Sequence, residues 1–214
     1  MTEELGFVSA DGLTIEGALD APGEPKAVLV VCHPHPRMGG TMNAPLLLAV
    51  RDEMVTRGWA VLRFNFRGIG GSEGEPQLGV DEVADAEGAL ALARKRFEGL
   101  PVALVGWSFG AAVAIRTLAK DHGVAAAVLI APAIEERPEV TAGAPDPSDI
   151  EITAPALLIR GANDALVDGE ACRKWADAMP TVRYMEMKGA NHFFWGKYPA
   201  LAAAVAGFLD EAAV

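Results

Sequence analysis

The sequence is short of basic residues. It has 18 lysines and arginines against 29 aspartates and glutamates in 214 residues, a formal net charge of −11 at pH 7. Proteins that bind nucleic acid need a basic patch to neutralise phosphates, and anionic membrane surfaces also attract basic segments. The composition therefore argues against both as partners.

The sequence also has no apolar run that approaches the roughly 18–20 residues of a membrane span. Residues 1–12 are acidic and lack the basic and apolar regions of a secretory signal. Only two cysteines occur, Cys32 and Cys172. Two cysteines without a secretory signal are typical of free thiols in a reducing compartment, so we expect a cytoplasmic protein without a disulfide.

No internal repeat or low-complexity tract interrupts the chain, which alternates short apolar runs with helical stretches. Alternation about an Asp-Gly pair predicts an N-terminal hairpin over residues 7–19. The later apolar runs are nearly continuous, as in strands buried on both faces. Strands are predicted over residues 27–34, 59–68, 101–107, 125–133, 155–161 and 182–189. Helices are predicted over residues 43–58, 80–97, 108–123, 169–180 and 199–213.

This order of elements predicts one α/β domain over residues 1–214, a mostly parallel sheet with helices on both faces. Such sheets place their sites at the carboxyl ends of the strands. The segment 134–154 is rich in proline and acidic residues and is long for a connection. It is either a small flap over a site or a solvated loop, and it is too short for a large cap.

A serine between two glycines follows the third of these strands, in the sequence Gly-Trp-Ser-Phe-Gly at residues 106–110. A sharp strand-to-helix turn needs small neighbours, and it would expose the Ser108 hydroxyl at the amino end of a helix. The alternative is a tight turn in which Ser108 caps the helix. A serine nucleophile needs a base, and the base needs an orienting acid.

Two later loops supply these partners. Asp164 follows the strand at 155–161, and His192 follows the strand at 182–189, so both are expected at the same sheet edge as Ser108. The chain order Ser, Asp, His is that of the α/β-hydrolases. Asp168 is the rival acid, but its position favours a cap of the next helix.

With these motifs the chain resembles the α/β-hydrolase-fold serine hydrolases over nearly its whole length. The segments CHPHPRMGG at 32–40 and NFRGIGGSEG at 65–74 resemble the compact, cap-poor bacterial hydrolases related to dienelactone hydrolases. Dienelactone hydrolases proper have a cysteine nucleophile, whereas this chain has Ser108, which favours ordinary ester chemistry. The resemblance also favours Asp164, because the spacing Gly161-x-x-Asp164 matches the family pattern.

The resemblance implies a role for each site residue. Ser108 is the nucleophile, His192 the general base and Asp164 the orienting acid, while the backbone amides of Phe109 and His35 form the oxyanion hole. Arg37 is the alternative donor to His35, because Pro34 and Pro36 have no N–H group. His33 is expected to be structural.

Further residues are candidates for substrate binding or are expected at the surface. Arg37 is a candidate for a substrate carboxylate, and Trp107 and Phe193, with the adjoining Phe194 and Trp195, are candidates for the wall of an apolar acyl pocket. Asp85 and Glu87 are expected on a solvated helix face.

The predicted function is hydrolysis of a carboxylic ester or thioester through an acyl-enzyme, without a cofactor or metal. The histidines at 33 and 35 have no convincing further metal ligands, and the dinucleotide and P-loop motifs are absent. The expected partner is a small-molecule ester. Three alternatives remain open: a peptidase or amidase with the same triad, a peroxide-dependent activity, and a non-catalytic binding protein.

Overall fold

The computed structural model describes residues 2–121 and 123–213, which form an eight-stranded sheet with helices on both faces. The strands are β1 (Thr2–Val8), β2 (Thr14–Asp20), β3 (Ala27–Cys32), β4 (Trp59–Phe64), β5 (Val102–Trp107), β6 (Ala127–Ile130), β7 (Ala156–Gly161) and β8 (Val182–Met187). The helices are α1 (Pro45–Thr56), α2 (Glu82–Arg96), α3 (Phe109–Leu118), α4 (Gly169–Asp177) and α5 (Tyr198–Ala212).

The strand order is β1-β2-β4-β3-β5-β6-β7-β8. The predicted N-terminal hairpin is confirmed: β1 and β2 pair antiparallel around the turn at Asp11 and Gly12, with Val8 opposite Thr14. β2 pairs antiparallel with β4, and the strands from β4 to β8 all run parallel. The carboxyl ends of these parallel strands therefore meet at one edge of the sheet, where a site is expected.

Two apolar cores cover the two faces of the sheet, as the near-continuous apolar strands predict. In β3, successive side chains point to opposite faces. Val28, Val30 and Cys32 join the core beneath α2, α3 and α4, while Leu29 and Val31 join the core beneath α1 and α5. The sheet is thus anchored on both faces, and the loops at its carboxyl edge start from a rigid base.

One helix-face prediction was wrong. Asp85 was expected in solvent, but it is fully buried, and its carboxylate receives the guanidinium of Arg67 at 2.8 Å and the backbone N–H of Arg67 at 2.9 Å. Arg67 begins the glycine-rich loop after β4, so this ion pair ties that loop to α2. Hydrophobic periodicity cannot show that a charged residue meets an opposite charge from a distant part of the chain.

Both cysteines are free and buried. Burial raises the pKa of each thiol, which makes both poor nucleophiles. Within residues 2–121 and 123–213, no helix is long and apolar enough to cross a membrane.

Candidate active site

Ser108 lies at the tip of a sharp turn between β5 and α3. Its φ of 55° and ψ of −114° lie in a region that is costly for a residue with a side chain. A Cβ atom on Gly106 would lie 2.3 Å from the carbonyl oxygen of Gly110. A Cβ on Gly110 would lie 2.4 Å from the carbonyl oxygens of Cys32 and His33. The two glycines are therefore required by close backbone contact.

The turn places the Ser108 hydroxyl next to His192, and the side chain makes no cap to the helix behind it. Ser108 Oγ lies 3.1 Å from His192 Nε2, and His192 Nδ1 lies 2.8 Å from Asp164 Oδ2. His192 and Asp164 are buried, while Ser108 is half-buried. Three residues from separate loops thus form one hydrogen-bonded chain with a reachable hydroxyl at its end.

Asp164 is held by its own loop. Its Oδ1 accepts hydrogen bonds from the backbone N–H groups of Leu166 and Val167, at 2.8 and 2.9 Å, which leaves Oδ2 for His192. Burial by itself would raise the pKa of Asp164. The hydrogen bonds from His192 and the two amides, together with the imidazole charge, outweigh burial and hold this pKa below its usual value. The carboxylate is therefore ionised at neutral pH.

Asp168 is the cap of α4. Its Oδ1 accepts from the backbone N–H of Ala171 at 2.7 Å, as predicted for a helix N-cap. The hydrogen bond from His192 goes to Asp164 instead. Two aspartates four residues apart thus have separate tasks in the structure.

Phe109 and His35, the two predicted oxyanion donors, both line the cavity that contains Ser108. Phe109 is the first residue of α3, where amides lack intrahelical partners, and within the described chain neither N–H has a hydrogen-bond acceptor. The amide of Arg37, by contrast, donates to His35 Nδ1 at 3.1 Å. Of the two donors considered, the Arg37 amide is therefore occupied, whereas the His35 amide is not.

The His35 imidazole has a structural role that the sequence does not indicate. Because Nδ1 accepts from Arg37, Nε2 carries the proton and donates to the carbonyl of Val140 at 2.9 Å. The ring also lies 5.0 Å from the ring of Phe109. One side chain thus connects the loop after β3, the start of α3 and segment 134–154.

His33 is fully buried, and its Nε2 accepts from the backbone N–H of Phe66 at 3.0 Å. Burial lowers its pKa to about 4, so the ring stays neutral. The expected structural role is confirmed. Within the described residues, no group of three or more metal-ligating side chains occurs.

A cavity of about 440 Å³ opens above Ser108 and His192. Trp107 and Phe193 line it, and Trp107 Nε1 also donates to the carbonyl of His192 at 3.3 Å. Segment 134–154 contributes Ile134, Arg137 and Val140 to the lining. The first part of the segment therefore borders the cavity, and whether the segment acts as a flap stays a prediction.

Three of the residues proposed for substrate contact do not line this cavity: Arg37, Phe194 and Trp195. Arg37 is not among the cavity-lining residues, and its guanidinium donates to the carbonyl of Pro76. The structure gives no support for a contact between Arg37 and a substrate in this cavity. Phe194 is fully buried in the core with α1 and α5, so it is not part of the cavity wall.

A family model described as serine aminopeptidase, S33, matches residues 23–149, more than half of the 214 residues. The chain belongs to this family. The hydrolase is also similar to an α/β serine hydrolase without lid, XC6422 from Xanthomonas campestris, with a TM-score of 0.86, 26% identity, and coverage of 98% of this chain and 94% of that one.

Two further solved structures have the same architecture. An alpha-beta serine hydrolase homologue from Coxiella burnetii aligns with a TM-score of 0.84 at 28% identity, covering 97% of both chains. The esterase Pf2001 from Pyrococcus furiosus aligns with a TM-score of 0.84 at 19% identity, covering 100% of this chain and 94% of that one. The protein is therefore a hydrolase of the α/β serine hydrolase fold. The narrower resemblance to dienelactone hydrolases stays a prediction.

Proposed function

We propose that this protein, as a single α/β-hydrolase domain, hydrolyses carboxylic esters or thioesters with Ser108 as nucleophile, His192 as base and Asp164 as orienting acid. The observation that supports it most is the hydrogen-bonded chain from Ser108 Oγ through His192 to Asp164, with separations of 3.1 and 2.8 Å. These separations are within the range for proton transfer from a nucleophile to a base.

In the first half-reaction, Ser108 Oγ attacks the ester carbonyl carbon while its proton moves to His192 Nε2. The carbonyl oxygen becomes an oxyanion, which the N–H groups of Phe109 and His35 stabilise. The ionised Asp164 stabilises the imidazolium. When the carbon–oxygen bond to the alcohol breaks, His192 Nε2 returns the proton to the alcohol oxygen, and the acyl group remains on Ser108.

In the second half-reaction, water takes the place of the alcohol. His192 Nε2 accepts a proton from this water while the water oxygen attacks the acyl carbon. The resulting tetrahedral species expels Ser108 Oγ, which regains its proton from His192. The products are a carboxylic acid and the free hydroxyl of Ser108, so the enzyme returns to its initial state without any cofactor.

Covalent labelling tests this proposal. A fluorophosphonate should label the wild type and fail to label Ser108→Ala, and turnover of p-nitrophenyl acetate and butyrate should disappear in the same variant. Phosphonylation requires an activated serine, so a well-folded wild type that remains unlabelled would contradict the assignment and favour a binding protein. Ser148→Ala, at an exposed serine of segment 134–154, is the matched control and should retain labelling.

The S33 family match favours a second candidate, an aminopeptidase with the same three residues. Amide and ester cleavage differ in the leaving group, since an amine leaves less readily than an alcohol. We therefore expect kcat/KM for p-nitrophenyl esters to exceed that for aminoacyl p-nitroanilides of matched acyl group. The reverse order would favour the peptidase.

A further inference from the structure

Two aromatic rings stack beside the candidate active site. The rings of Phe193 and Trp195 lie 4.8 Å apart with an angle of 14° between their planes. Phe193 is 38% exposed and Trp195 is 66% exposed, whereas Phe194 between them is fully buried. Leaving large apolar rings in water gives up the free energy of burial, so this exposed pair calls for a contact that the chain itself does not make.

The backbone holds this pair in place. Asn191 Oδ1 accepts hydrogen bonds from the N–H groups of Phe193 and Trp195, at 3.1 and 3.4 Å. The Asn191 carbonyl accepts a third, from the N–H of Phe194 at 3.1 Å, and Phe194 has a φ of 52°. This turn and the buried Phe194 fix the backbone that carries both rings. Binding to a preorganised surface costs little ordering.

The position of Phe193 relative to His192 identifies which part of an ester it meets. The Phe193 ring lines the cavity and lies 5.4 Å from the His192 ring, perpendicular to it. Trp195 stacks on Phe193 and is not itself among the lining residues. Phe193 is thus the ring that a ligand meets, and Trp195 supports it.

In ester cleavage, His192 Nε2 gives its proton to the oxygen of the departing alcohol. That oxygen therefore lies within hydrogen-bond reach of the imidazole, whose ring centre is 5.4 Å from that of Phe193. The acyl group stays bound to Ser108 Oγ. This reasoning favours the alcohol portion of the substrate as the group beside Phe193, whereas the sequence suggested an acyl pocket.

We propose that Phe193 is the contact residue of a leaving-group subsite that takes an aromatic alcohol, with Trp195 as its positioning residue. This inference rests on the proposed ester hydrolysis. Aromatic rings pair favourably at centroid distances of about 4.5–7 Å. Within the described residues, the cation–ring contacts involve Tyr184 and Phe208, so no cation competes for the Phe193 ring.

The test compares benzyl acetate with cyclohexylmethyl acetate, which share the acyl group and differ in whether the six-membered ring is aromatic. The wild type should favour benzyl acetate in kcat/KM. Phe193→Leu keeps an apolar side chain but should lower this preference by roughly three- to tenfold, the contribution of one aromatic contact. Phe193→Tyr should restore it, and Trp195→Leu should lower it less than Phe193→Leu.

Two controls separate this role from a general disturbance. Val80→Ala changes another exposed apolar residue, one outside the cavity lining, and should leave the preference unaltered. Both esters give the same acetyl-enzyme, and the alcohol has left before deacylation begins. The Phe193→Leu effect should therefore be in acylation and not in the deacylation rate constant. An unchanged preference in Phe193→Leu, or an equal loss in both steps, would overturn the proposal.

A binding measurement keeps this result distinct from the proposed function. Calorimetric titration of Ser108→Ala with benzyl acetate needs no turnover, and adding Phe193→Leu should weaken binding by a similar three- to tenfold factor. Failure of the wild type to cleave any acetate ester would refute the proposed esterase activity. Weaker binding of benzyl acetate by the double variant than by Ser108→Ala would support the subsite even then. Equal binding by the single and double variants would refute the subsite, whatever the activity.

Discussion

Replacing Asp164 by asparagine tests the central assignment, because the structure determines how the new amide must sit. Oδ1 of residue 164 accepts from the N–H groups of Leu166 and Val167. The asparagine oxygen must occupy this place, since the opposite orientation would direct an NH₂ group at two donors. Leaving the buried Val167 donor unpaired would cost about 1–3 kcal/mol, and the more exposed Leu166 donor would add less.

The asparagine NH₂ group then faces His192 Nδ1, where the carboxylate oxygen lay at 2.8 Å. Because NH₂ donates, Nδ1 must accept, and the imidazole proton moves to Nε2. Nε2 then presents a donor to Ser108 Oγ, 3.1 Å away, and can no longer take the serine proton. A wrong tautomer in a Ser-His-Asp triad costs about 10⁴-fold in kcat, equivalent to about 5.4 kcal/mol at 1.36 kcal/mol per tenfold.

The assay is hydrolysis of p-nitrophenyl acetate at pH 7.5, with urea denaturation of each variant to establish that it is folded. Asp168→Asn is the matched control, since asparagine is as good a helix N-cap as aspartate, and it should retain activity within about threefold because Asp168 makes no bond to His192. A loss below about tenfold in Asp164→Asn would refute the tautomer reasoning. Equal losses in the two variants would refute the choice of Asp164.

Three further predictions concern stability, each read from urea unfolding. Gly110→Ala should destabilise the protein by about 1–3 kcal/mol or more, because the new Cβ meets two backbone carbonyls at 2.4 Å. Gly207→Ala is the control: its Cβ would have nothing within 4 Å, so the change should be neutral or stabilising. Equal effects of the two substitutions on the free energy of unfolding would contradict the close-contact explanation. Asp85→Ala removes the buried partner of Arg67, which keeps only the partly exposed Asp11, and the lost charge-assisted hydrogen bonds should cost about 1.5–3 kcal/mol. Glu87→Ala removes only a 3.8 Å surface pair and should cost about 1 kcal/mol or less. The third prediction uses pH: the pKa of His33 falls from 6.5 to about 4 on folding, so its neutral form contributes stability that is complete above pH 6.5 and is lost as the pH falls towards 4. His33→Gln should weaken this dependence between pH 7.5 and 4.5, and an identical slope in the variant would assign the dependence to other groups.

Much of the site could be predicted from the chain because its chemistry depends on local patterns. A buried strand, a serine between two glycines and a helix are consecutive in residues 101–118, and the sharp turn that joins them requires small residues at Gly106 and Gly110. Asp164 and His192 each follow a predicted strand. Parallel strands bring their carboxyl ends to one edge, so the meeting of these residues with Ser108 follows from the strand pattern.

Asp164 and Asp168 show what a local sequence pattern cannot predict, namely which of two nearby carboxylates contacts the histidine. Both residues follow β7, and both are aspartates at a loop before a helix. Family spacing favoured Asp164, but a preference for one carboxylate depends on which one the imidazole reaches. Only the structure gives that distance, 2.8 Å to Asp164, and it also gives the amide bonds that orient the carboxylate.

The amino-acid sequence by itself determined the order of strands and helices, the elbow at Ser108 and the edge of the sheet at which the polar residues gather, because hydrophobic periodicity and glycine placement act over a few neighbouring residues. Contacts between distant segments were decided only by the tertiary structure. Asp85 became a buried partner of Arg67, the His35 ring reached Val140, and Phe193 came to lie beside His192 and over the cavity. Such contacts depend on how whole helices and strands pack together. The periodicity of the sequence does not show which distant residue a side chain will contact.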